Sequence, residues 1–160
     1  VCCAGVAQQK LFQDITDEDW DRMFDINIKG VYRSIQAALP YLMKRERSRI
    51  VTFSSMWGQV GASCESHYAA SKGAVIALTQ SLAKELGPSG VRVNCVSPGT
   101  ILTDMTAVLG QETLDALAEE TPLGRNGSPE DAARAAAFLC SEAADFITGQ
   151  VVAVNGGYIV

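Results

Sequence analysis

Short β-branched runs alternate with longer helical patterns along these 160 residues, and this alternation constrains the fold more than any other feature of the chain. Runs of Val, Ile, Thr and Phe bounded by turn residues indicate buried strands, and apolar residues three and four apart indicate helices. The predicted strands are residues 1–6, 49–54, 91–97 and 150–154, and the predicted helices are residues 17–45, 67–86, 111–120 and 128–141. Because parallel crossovers are right-handed, this order predicts an α/β fold with a three-layer α/β/α, doubly wound parallel sheet.

Two interruptions and one helix start stand out within this pattern. Asn27 and Gly30 lie in the middle of the first helical pattern, and both residue types are poor helix formers, so we expect a local irregularity there. Residues 56–66 are rich in Gly and small side chains, which predicts a loop. Ser128 followed by Pro129 is typical of a helix N-terminus, with Ser as the cap and Pro in the first turn.

The predicted fold also indicates where a ligand would bind. In open parallel sheets the ligand site lies beyond the carboxyl ends of the strands. The segments that follow those ends here begin at Gly5, Ser54 and Pro98. We therefore expect the functional site to form around these three segments.

Composition and charge narrow the classes of function. Hydrophobic residues make up 48% of the chain, which disfavours a disordered protein, and the net charge of −5 disfavours a nucleic-acid partner. No apolar run approaches the roughly 20 residues of a membrane-spanning helix, so no membrane role is expected. The five cysteines lack a CxxC spacing and there is one histidine, which argues against a metal site and favours a reducing, cytoplasmic setting.

Tyr68 and Lys72 are the first candidates for chemistry. They are four residues apart in a predicted helix, so the phenol and the ammonium share one helix face. A nearby cation favours the phenolate, and we expect Lys72 to lower the pKa of Tyr68 from its usual value of about 10 toward neutrality. Tyr68 would then act as a general acid or base, with Ser55 at the end of the preceding strand. The bare spacing is also common in surface pairs.

Seven short segments, spread over nearly the whole chain, form a set with a specific order and spacing. They are CCAG at 2–5, NIKG at 27–30, IVTFSS at 50–55, YAASK at 68–72, RVNCVSPG at 92–99, PLGRNGSPED at 122–131 and ITGQVVAVNGG at 147–157. Together they resemble the short-chain dehydrogenase/reductase family. The resemblance implies a Rossmann-type fold and an oxidoreductase that transfers hydride between a nicotinamide cofactor and a carbonyl group.

The resemblance also implies a role for each matching residue. Tyr68 would donate a proton to a ketone oxygen, Lys72 would hold the nicotinamide ribose, and Ser55 would polarise the carbonyl group. Asn27 would hold a water molecule in a proton relay that ends at Lys72. The residues expected to border the cofactor are Tyr68 and Lys72 themselves with Ala4, Gly5, Pro98, Gly99, Ile101 and Thr103. Thr103 and Gly99 equally fit a helix cap and a turn.

The chain departs from the family pattern in two ways. Cys2 and Cys3 replace the usual Asn-Asn pair, which puts cofactor affinity or local stability in doubt, although a buried strand cysteine is usually inert. The family's TGxxxGxG phosphate loop has no match, so we expect residues 1–160 to form one partial domain, its C-terminal portion from the fourth strand onward. The residues that select NAD or NADP fall outside this match, and NADP is the favoured expectation.

Two substrates remain open. The general pattern is similar to that of 3-oxoacyl-[acyl-carrier-protein] reductases, and a basic cluster at Lys44, Arg45, Arg47 and Arg49 could meet an acidic carrier protein or simply end a helix. Residues 57–68 are instead similar to elongation factor P 5-aminopentanone reductases, which act on a ketone of a modified lysine. In that case Glu65 could pair with the amine of the substrate.

Two other classes of protein, a serine hydrolase and a non-catalytic subunit, are also considered, together with the oligomeric state. A serine hydrolase is disfavoured because GxSxG is absent and one histidine is present, whereas a non-catalytic fragment or assembly subunit remains an alternative. The family usually forms tetramers, which implies a homo-oligomer. Leu39, Leu42, Ile76 and Leu82 fit an interface of that kind, and they fit an ordinary core equally well.

Overall fold

A three-stranded parallel sheet lies at the centre of the computed structural model, which describes residues 1–160. The strands are β1 (Ser48–Phe53), β2 (Val91–Pro98) and β3 (Val151–Val154), in the order β1-β2-β3. Both pairings are parallel, with Ile50 opposite Val93 and Cys95 opposite Val151. The predicted parallel sheet is confirmed, and each of these strands lies within one residue of its predicted bounds.

The prediction of a buried strand at residues 1–6 is wrong. This segment forms a single parallel bridge between Cys2 and Thr52 on the free edge of β1, in which the Cys2 N–H donates to the Val51 carbonyl at 2.8 Å. Val1 is 73% exposed because no element covers its outer side. No ladder of backbone hydrogen bonds holds this segment. The Asn27 side chain holds it at Val6 instead, as described below.

The first long helical pattern is a helix with a π-turn inserted in it. Helix α1 (Asp17–Phe24) begins at a Thr16–Asp19 capping box, residues Asp25–Lys29 form the π-turn, and α2 (Gly30–Leu42) follows without a break. The irregularity expected around Asn27 and Gly30 is therefore confirmed. The helix ends at residue 42 rather than 45, two residues after Pro40.

Helices cover both faces of the sheet, as a doubly wound fold requires. The remaining long helices are α4 (Ser66–Leu86), α6 (Gln111–Glu120) and α7 (Pro129–Cys140). Helices α2 and α4 pack against one face of the sheet through Val31, Ile35, Ile50, Ala83, Leu86, Val91 and Val93. Helix α7 packs on the other face through Val51, Val96, Ala136 and Leu139. Successive side chains of a strand point to opposite faces, which explains why Ile50 and Val51 belong to different clusters.

Two short helices were not predicted, one inside the predicted loop at residues 56–66 and one directly after Thr103, where no element was assigned. They are α3 (Trp57–Val60) and α5 (Asp104–Ala107), each of four residues. A single turn is too short to produce a helical period in the sequence. Of the apolar residues that also fitted an interface, Leu39, Leu42 and Leu82 pack against the α2–α4 core, and Ile76 is partly buried.

Candidate active site

A cavity of about 860 Å³ lies beyond the carboxyl ends of β1 and β2, where the sequence predicted a ligand site. Ser54 and Ser55 after β1, and Pro98 and Gly99 at the end of β2, line one side of it. The volume falls within the range of about 300–1,000 Å³ that is typical of small-molecule sites. Fold and site location are therefore consistent with each other.

Tyr68 and Lys72 line the cavity from the first turns of α4. Both are buried, with exposed fractions of 8% and 5%, and Lys72 Nζ lies 5.8 Å from the centre of the Tyr68 ring. Lys72 Nζ donates a hydrogen bond to the Phe53 carbonyl at 3.1 Å, which ties α4 to the end of β1. An ammonium carries three N–H donors, so Lys72 has donors left for a bound molecule.

The electrostatics of Tyr68 correct one prediction. Burial raises the pKa of Tyr68 above its ordinary value, the Glu65 carboxylate raises it further, and the Ser55 hydroxyl lowers it. Burial of the cation likewise lowers the pKa of Lys72. The direction of this shift is opposite to the expected lowering of the Tyr68 pKa toward neutrality, because burial, which disfavours the charged phenolate, is its largest cause. The Tyr68 phenol therefore keeps its proton at neutral pH.

The two serines after β1 have different tasks. Ser55 is buried, and its Oγ accepts a hydrogen bond from the Trp57 backbone N–H at 3.2 Å, which leaves its own O–H free to donate. Ser54 Oγ donates to the Lys72 carbonyl at 2.8 Å and so fixes the helix backbone at the ammonium-bearing residue. Ser55 is thus placed as a hydrogen-bond donor and Ser54 as a brace.

Asn27 is 1% exposed and uses its side chain to hold the segment that follows residues 1–5. Its Oδ1 accepts the Val6 N–H at 2.8 Å, and its Nδ2 donates to the Val6 carbonyl at 2.9 Å and to Ser71 Oγ at 3.0 Å. A Cβ added to Gly5 would lie 3.2 Å from both Asn27 Oδ1 and Lys72 Nζ. Asn27 is therefore close to Lys72, and its side chain positions Val6; its part in a proton relay stays a prediction.

Most of the predicted cofactor residues reach the cavity. Gly5, Pro98, Gly99, Ile101 and Thr103 line it, whereas Ala4 is exposed and does not. Thr103 also precedes α5 and donates its backbone N–H to Thr106 Oγ1 at 3.0 Å, so the cap interpretation holds for it. A Cβ on Gly99 would approach Asn155 Cα to 2.8 Å, which shows that this backbone contact requires glycine.

Several residues of the site carried no clear signal in the sequence. Gln8 and Gln9 form part of the cavity wall, and Gly58 allows α3 to approach α4, since a Cβ there would lie 2.8 Å from the Lys72 carbonyl carbon. Their roles depend on contacts with residues far along the chain. His67 is fully buried next to Tyr68. It is the only histidine in these 160 residues, and its position directly before Tyr68 is the one sequence feature that indicates it.

The cysteines and the basic cluster differ from their expected settings. Cys3 is exposed and lines the cavity, whereas burial raises the pKa of the half-buried Cys2 thiol.

Arg47 and Arg49 form ion pairs with Asp145 at the amino end of β1. At about 3.3 Å per strand residue, that end is about 20 Å from Ser55. The basic cluster therefore lies at the opposite end of the sheet from the cavity.

No group of three or more His, Cys, Asp and Glu side chains is arranged to hold a metal ion. No helix is both long enough and apolar enough to cross a bilayer.

Comparison with known proteins finds similar sequences over nearly the whole chain. A family model described as enoyl-(acyl carrier protein) reductase matches residues 1–159. The 3-oxoacyl-[acyl-carrier-protein] reductase FabG of Aquifex aeolicus is 45% identical over 154 residues, which are 96% of this chain and 62% of that protein. The human (3R)-3-hydroxyacyl-CoA dehydrogenase is 43% identical over 158 residues, 98% of this chain and 60% of that protein.

Solved structures agree with the sequence comparison. A short-chain dehydrogenase/reductase (glucose/ribitol dehydrogenase) from Brucella melitensis superposes with a TM-score of 0.93 at 44% identity, covering 98% of this chain and 63% of that one. A gluconate 5-dehydrogenase from Burkholderia cenocepacia, solved with NADP and tartrate, gives a TM-score of 0.93 at 29% identity, covering 99% and 64%. The chain thus spans a little over three fifths of the length of these relatives.

Proposed function

The chain belongs to the short-chain dehydrogenase/reductase family, and we propose that residues 1–160 are the catalytic part of an NAD(P)-dependent oxidoreductase that reduces a ketone to a secondary alcohol. The single observation that supports this most strongly is the convergence of Ser55, Tyr68 and Lys72 on one cavity. Since the relatives are longer than this chain, we propose that these residues form one partial domain of that family.

The cavity residues fit a nicotinamide cofactor. Lys72 is buried with one hydrogen-bond acceptor in the chain, so its remaining N–H donors suit the hydroxyl groups of a ribose. Gly5 leaves open the space beside Lys72 that a Cβ would fill. Gly5, Pro98, Gly99, Ile101 and Thr103 would border the group with backbone and short side chains. NADP is the favoured form, because two structural neighbours are described with NADP.

The chain's own residues supply binding and proton transfer. When bound, the nicotinamide supplies the hydride that reduces the carbonyl carbon. The Ser55 O–H donates to the carbonyl oxygen and polarises it, and the protonated Tyr68 phenol transfers its proton to that oxygen as the alcohol forms. Lys72 stabilises the resulting Tyr68 phenolate until it regains a proton through a relay in which Asn27 takes part.

We propose a 3-oxoacyl thioester as the substrate class. Two similar proteins are named for 3-oxoacyl and 3-hydroxyacyl substrates, and the cavity wall formed by Ile101, Met105, Val108, Leu109 and Leu117 is apolar enough for an acyl chain. Oxidation of NADPH and NADH with a short 3-oxoacyl thioester, measured on the protein expressed from its complete coding sequence, tests this. Formation of the 3-hydroxy product supports the proposal, and nucleotide binding without turnover of any ketone in a panel favours a non-catalytic subunit.

An amino ketone is a second candidate substrate, supported by Glu65. This residue is the only acidic side chain that lines the cavity, it has no cationic partner, and its carboxylate accepts a hydrogen bond from Gln9 Nε2 at 3.2 Å. An unpaired carboxylate favours a substrate with an ammonium group. Comparing kcat/KM for an amino ketone and its uncharged isostere in the wild type and in Glu65→Gln tests it. A ratio that the substitution leaves unchanged would exclude this candidate.

The proposals for the oligomeric state and the cellular location also start from family membership. We propose a homotetramer, supported by the exposed apolar side chains of Phe138, in the last turn of α7, and Phe146, six residues after its end, and light scattering of the purified protein would measure its mass. We also propose a cytoplasmic location, supported by five cysteines that form no disulfide. Neither proposal assigns a partner other than a second copy of the chain and a carbonyl substrate.

A further inference from the structure

A chain of side-chain hydrogen bonds connects His67 to the start of α1. His67 is fully buried, and its Nε2 lies 2.9 Å from Gln8 Oε1. Gln8 Nε2 donates to Asp19 Oδ1 at 3.0 Å, and the second oxygen of Asp19 accepts from Lys10 Nζ at 2.5 Å. Asp19 also accepts the backbone N–H of Thr16 at 3.1 Å. Three separate parts of the chain therefore meet in one network.

The network determines the tautomer of the imidazole. An ionised carboxylate only accepts hydrogen bonds, so the Gln8 amide nitrogen must face Asp19 and the Gln8 carbonyl oxygen must face His67. A carbonyl oxygen also only accepts, and hence His67 Nε2 carries the proton. The other ring nitrogen, Nδ1, is buried without a partner, so a second proton there would have no acceptor. The hydrogen bond to Gln8 therefore requires a proton on Nε2 of His67.

The network holds one wall of the cavity. Ala7, Gln8 and Gln9 line the cavity between two fixed points, Val6 and Lys10. Asn27 holds Val6, and the Lys10 N–H donates to the Cys64 carbonyl at 2.7 Å. Gln8 is the middle of this segment, and its contacts with His67 and Asp19 are its only side-chain hydrogen bonds. Without them the wall would be held at its two ends and by the exposed Gln9–Glu65 hydrogen bond.

We propose that His67 is a positioning residue that holds the wall formed by residues 6–10 beside Tyr68, through its Nε2–H and Gln8. The imidazole does not line the cavity, so it touches neither substrate nor cofactor. Because His67 is the residue before Tyr68, the hydrogen bond sets the separation between this wall and the phenol. The effect of His67 on KM rests on the proposed reductase function. The tautomer of His67 and its hydrogen bond to the wall residue Gln8 do not depend on that function.

The first test uses nitrogen NMR on the protein expressed from its complete coding sequence, in which the imidazole signals of His67 are assigned as those that disappear in His67→Gln. We expect the neutral Nε2–H tautomer with a slowly exchanging ring proton, and fast exchange of that proton in Gln8→Met. The Lys10 amide, protected by its bond to Cys64, should exchange faster in the same variant. An Nδ1–H tautomer, or a Lys10 amide that the variant leaves unchanged, would overturn the proposal whether or not the protein reduces ketones.

The second test separates positioning from stability. His67→Gln can still donate an amide N–H to Gln8, whereas His67→Leu cannot. We expect His67→Leu to raise KM for the carbonyl substrate by up to about tenfold, the loss of one hydrogen bond, with a smaller effect on kcat. His67→Gln should restore most of the affinity, and Gln36→Met, at an exposed glutamine of α2, should have no effect.

The double variant completes the second test. His67→Leu combined with Gln8→Met should raise KM no more than Gln8→Met alone, because Gln8→Met already removes the hydrogen bond to His67. Additive effects, or equal KM values for His67→Leu and His67→Gln, would contradict a positioning role for His67. Absence of turnover in the wild type would instead contradict the proposed function, and the NMR result would then decide on the wall by itself.

Discussion

Lys72 Nζ lies 5.8 Å from the centre of the Tyr68 ring, yet burial keeps the pKa of the phenol above its ordinary value. The pair is therefore arranged to deliver a proton rather than to remove one at neutral pH. Ketone reduction consumes a proton at the carbonyl oxygen, and a protonated Tyr68 is the form that reduction requires. A phenol with the ordinary tyrosine pKa of about 10 is also protonated at neutral pH, so this requirement does not depend on the size of the shift.

The pH dependence of the reverse reaction follows from this raised pKa. Alcohol oxidation needs the Tyr68 phenolate, so its rate should rise with pH from neutrality to beyond pH 10. Glu65 is one cause of the raised pKa, and Glu65→Gln should move this rise to lower pH. Initial rates of alcohol oxidation at a series of pH values measure it. The exposed Glu119→Gln serves as the control, and a shift to higher pH in Glu65→Gln would contradict the account.

Lys72→Met should weaken nucleotide binding by at least about tenfold. The substitution removes the ammonium donors proposed for the ribose hydroxyls, and hydrogen bonds to charged groups contribute about 1.5–3 kcal/mol each. Nicotinamide fluorescence during a titration with NADPH measures the dissociation constant. Lys84→Met changes an exposed lysine in the last turn of the same helix and should bind as the wild type does. Equal affinities in all three proteins would remove Lys72 from the cofactor site.

Gly5→Ala should also impair nucleotide binding, for a steric reason. The added Cβ would lie 3.2 Å from both Lys72 Nζ and Asn27 Oδ1, closer than most such contacts, so Lys72 has to move. The matched control is Gly87→Ala, at a helical glycine whose Cβ would meet no atom within 4 Å. The same fluorescence titration compares the two variants. If both bound NADPH equally well, the space beside Gly5 would not belong to the cofactor site.

Asn27→Ala should destabilise the fold by about 2–3 kcal/mol. The change leaves the Val6 N–H and carbonyl without their partners, and an unsatisfied buried group costs about 1–3 kcal/mol. Urea unfolding followed by circular dichroism measures the free energy of unfolding. Gln36→Ala, at an exposed position of the next helix, is the control and should change it by less than about 0.5 kcal/mol. Equal stability in the two variants would contradict the bracing role of Asn27.

Local patterns in the sequence predicted much of the fold. Strands β1, β2 and β3 carry dense β-branched runs, and α7 starts at Ser128 with its capping box, so each was predicted within one residue or so. The π-turn was signalled by Asn27 and Gly30. The Tyr68–Lys72 pair was also readable, since both residues lie within one helical turn. In each of these cases the residues that predict the structure lie close together in the sequence.

What the sequence could not predict depends on contacts between distant residues. Asn27 and Val6 are 21 residues apart, and His67 and Gln8 are 59 apart, so neither hydrogen bond leaves a local pattern. The sign of the Tyr68 pKa shift was predicted wrongly because it depends on how deeply the phenol is buried, which the helical spacing does not show. The segment 1–6 was also mispredicted, since its apolar composition does not reveal which elements cover it.

The central claim is that Tyr68 donates the proton for ketone reduction, and Tyr68→Phe tests it most directly. The phenyl ring fills the same buried space without the hydroxyl group. With the protein expressed from its complete coding sequence, we expect Tyr68→Phe to bind NADPH as the wild type does, while reduction of a 3-oxoacyl thioester falls at least about 100-fold, within the range for a lost general acid. Tight binding with turnover near the wild-type rate would contradict the account.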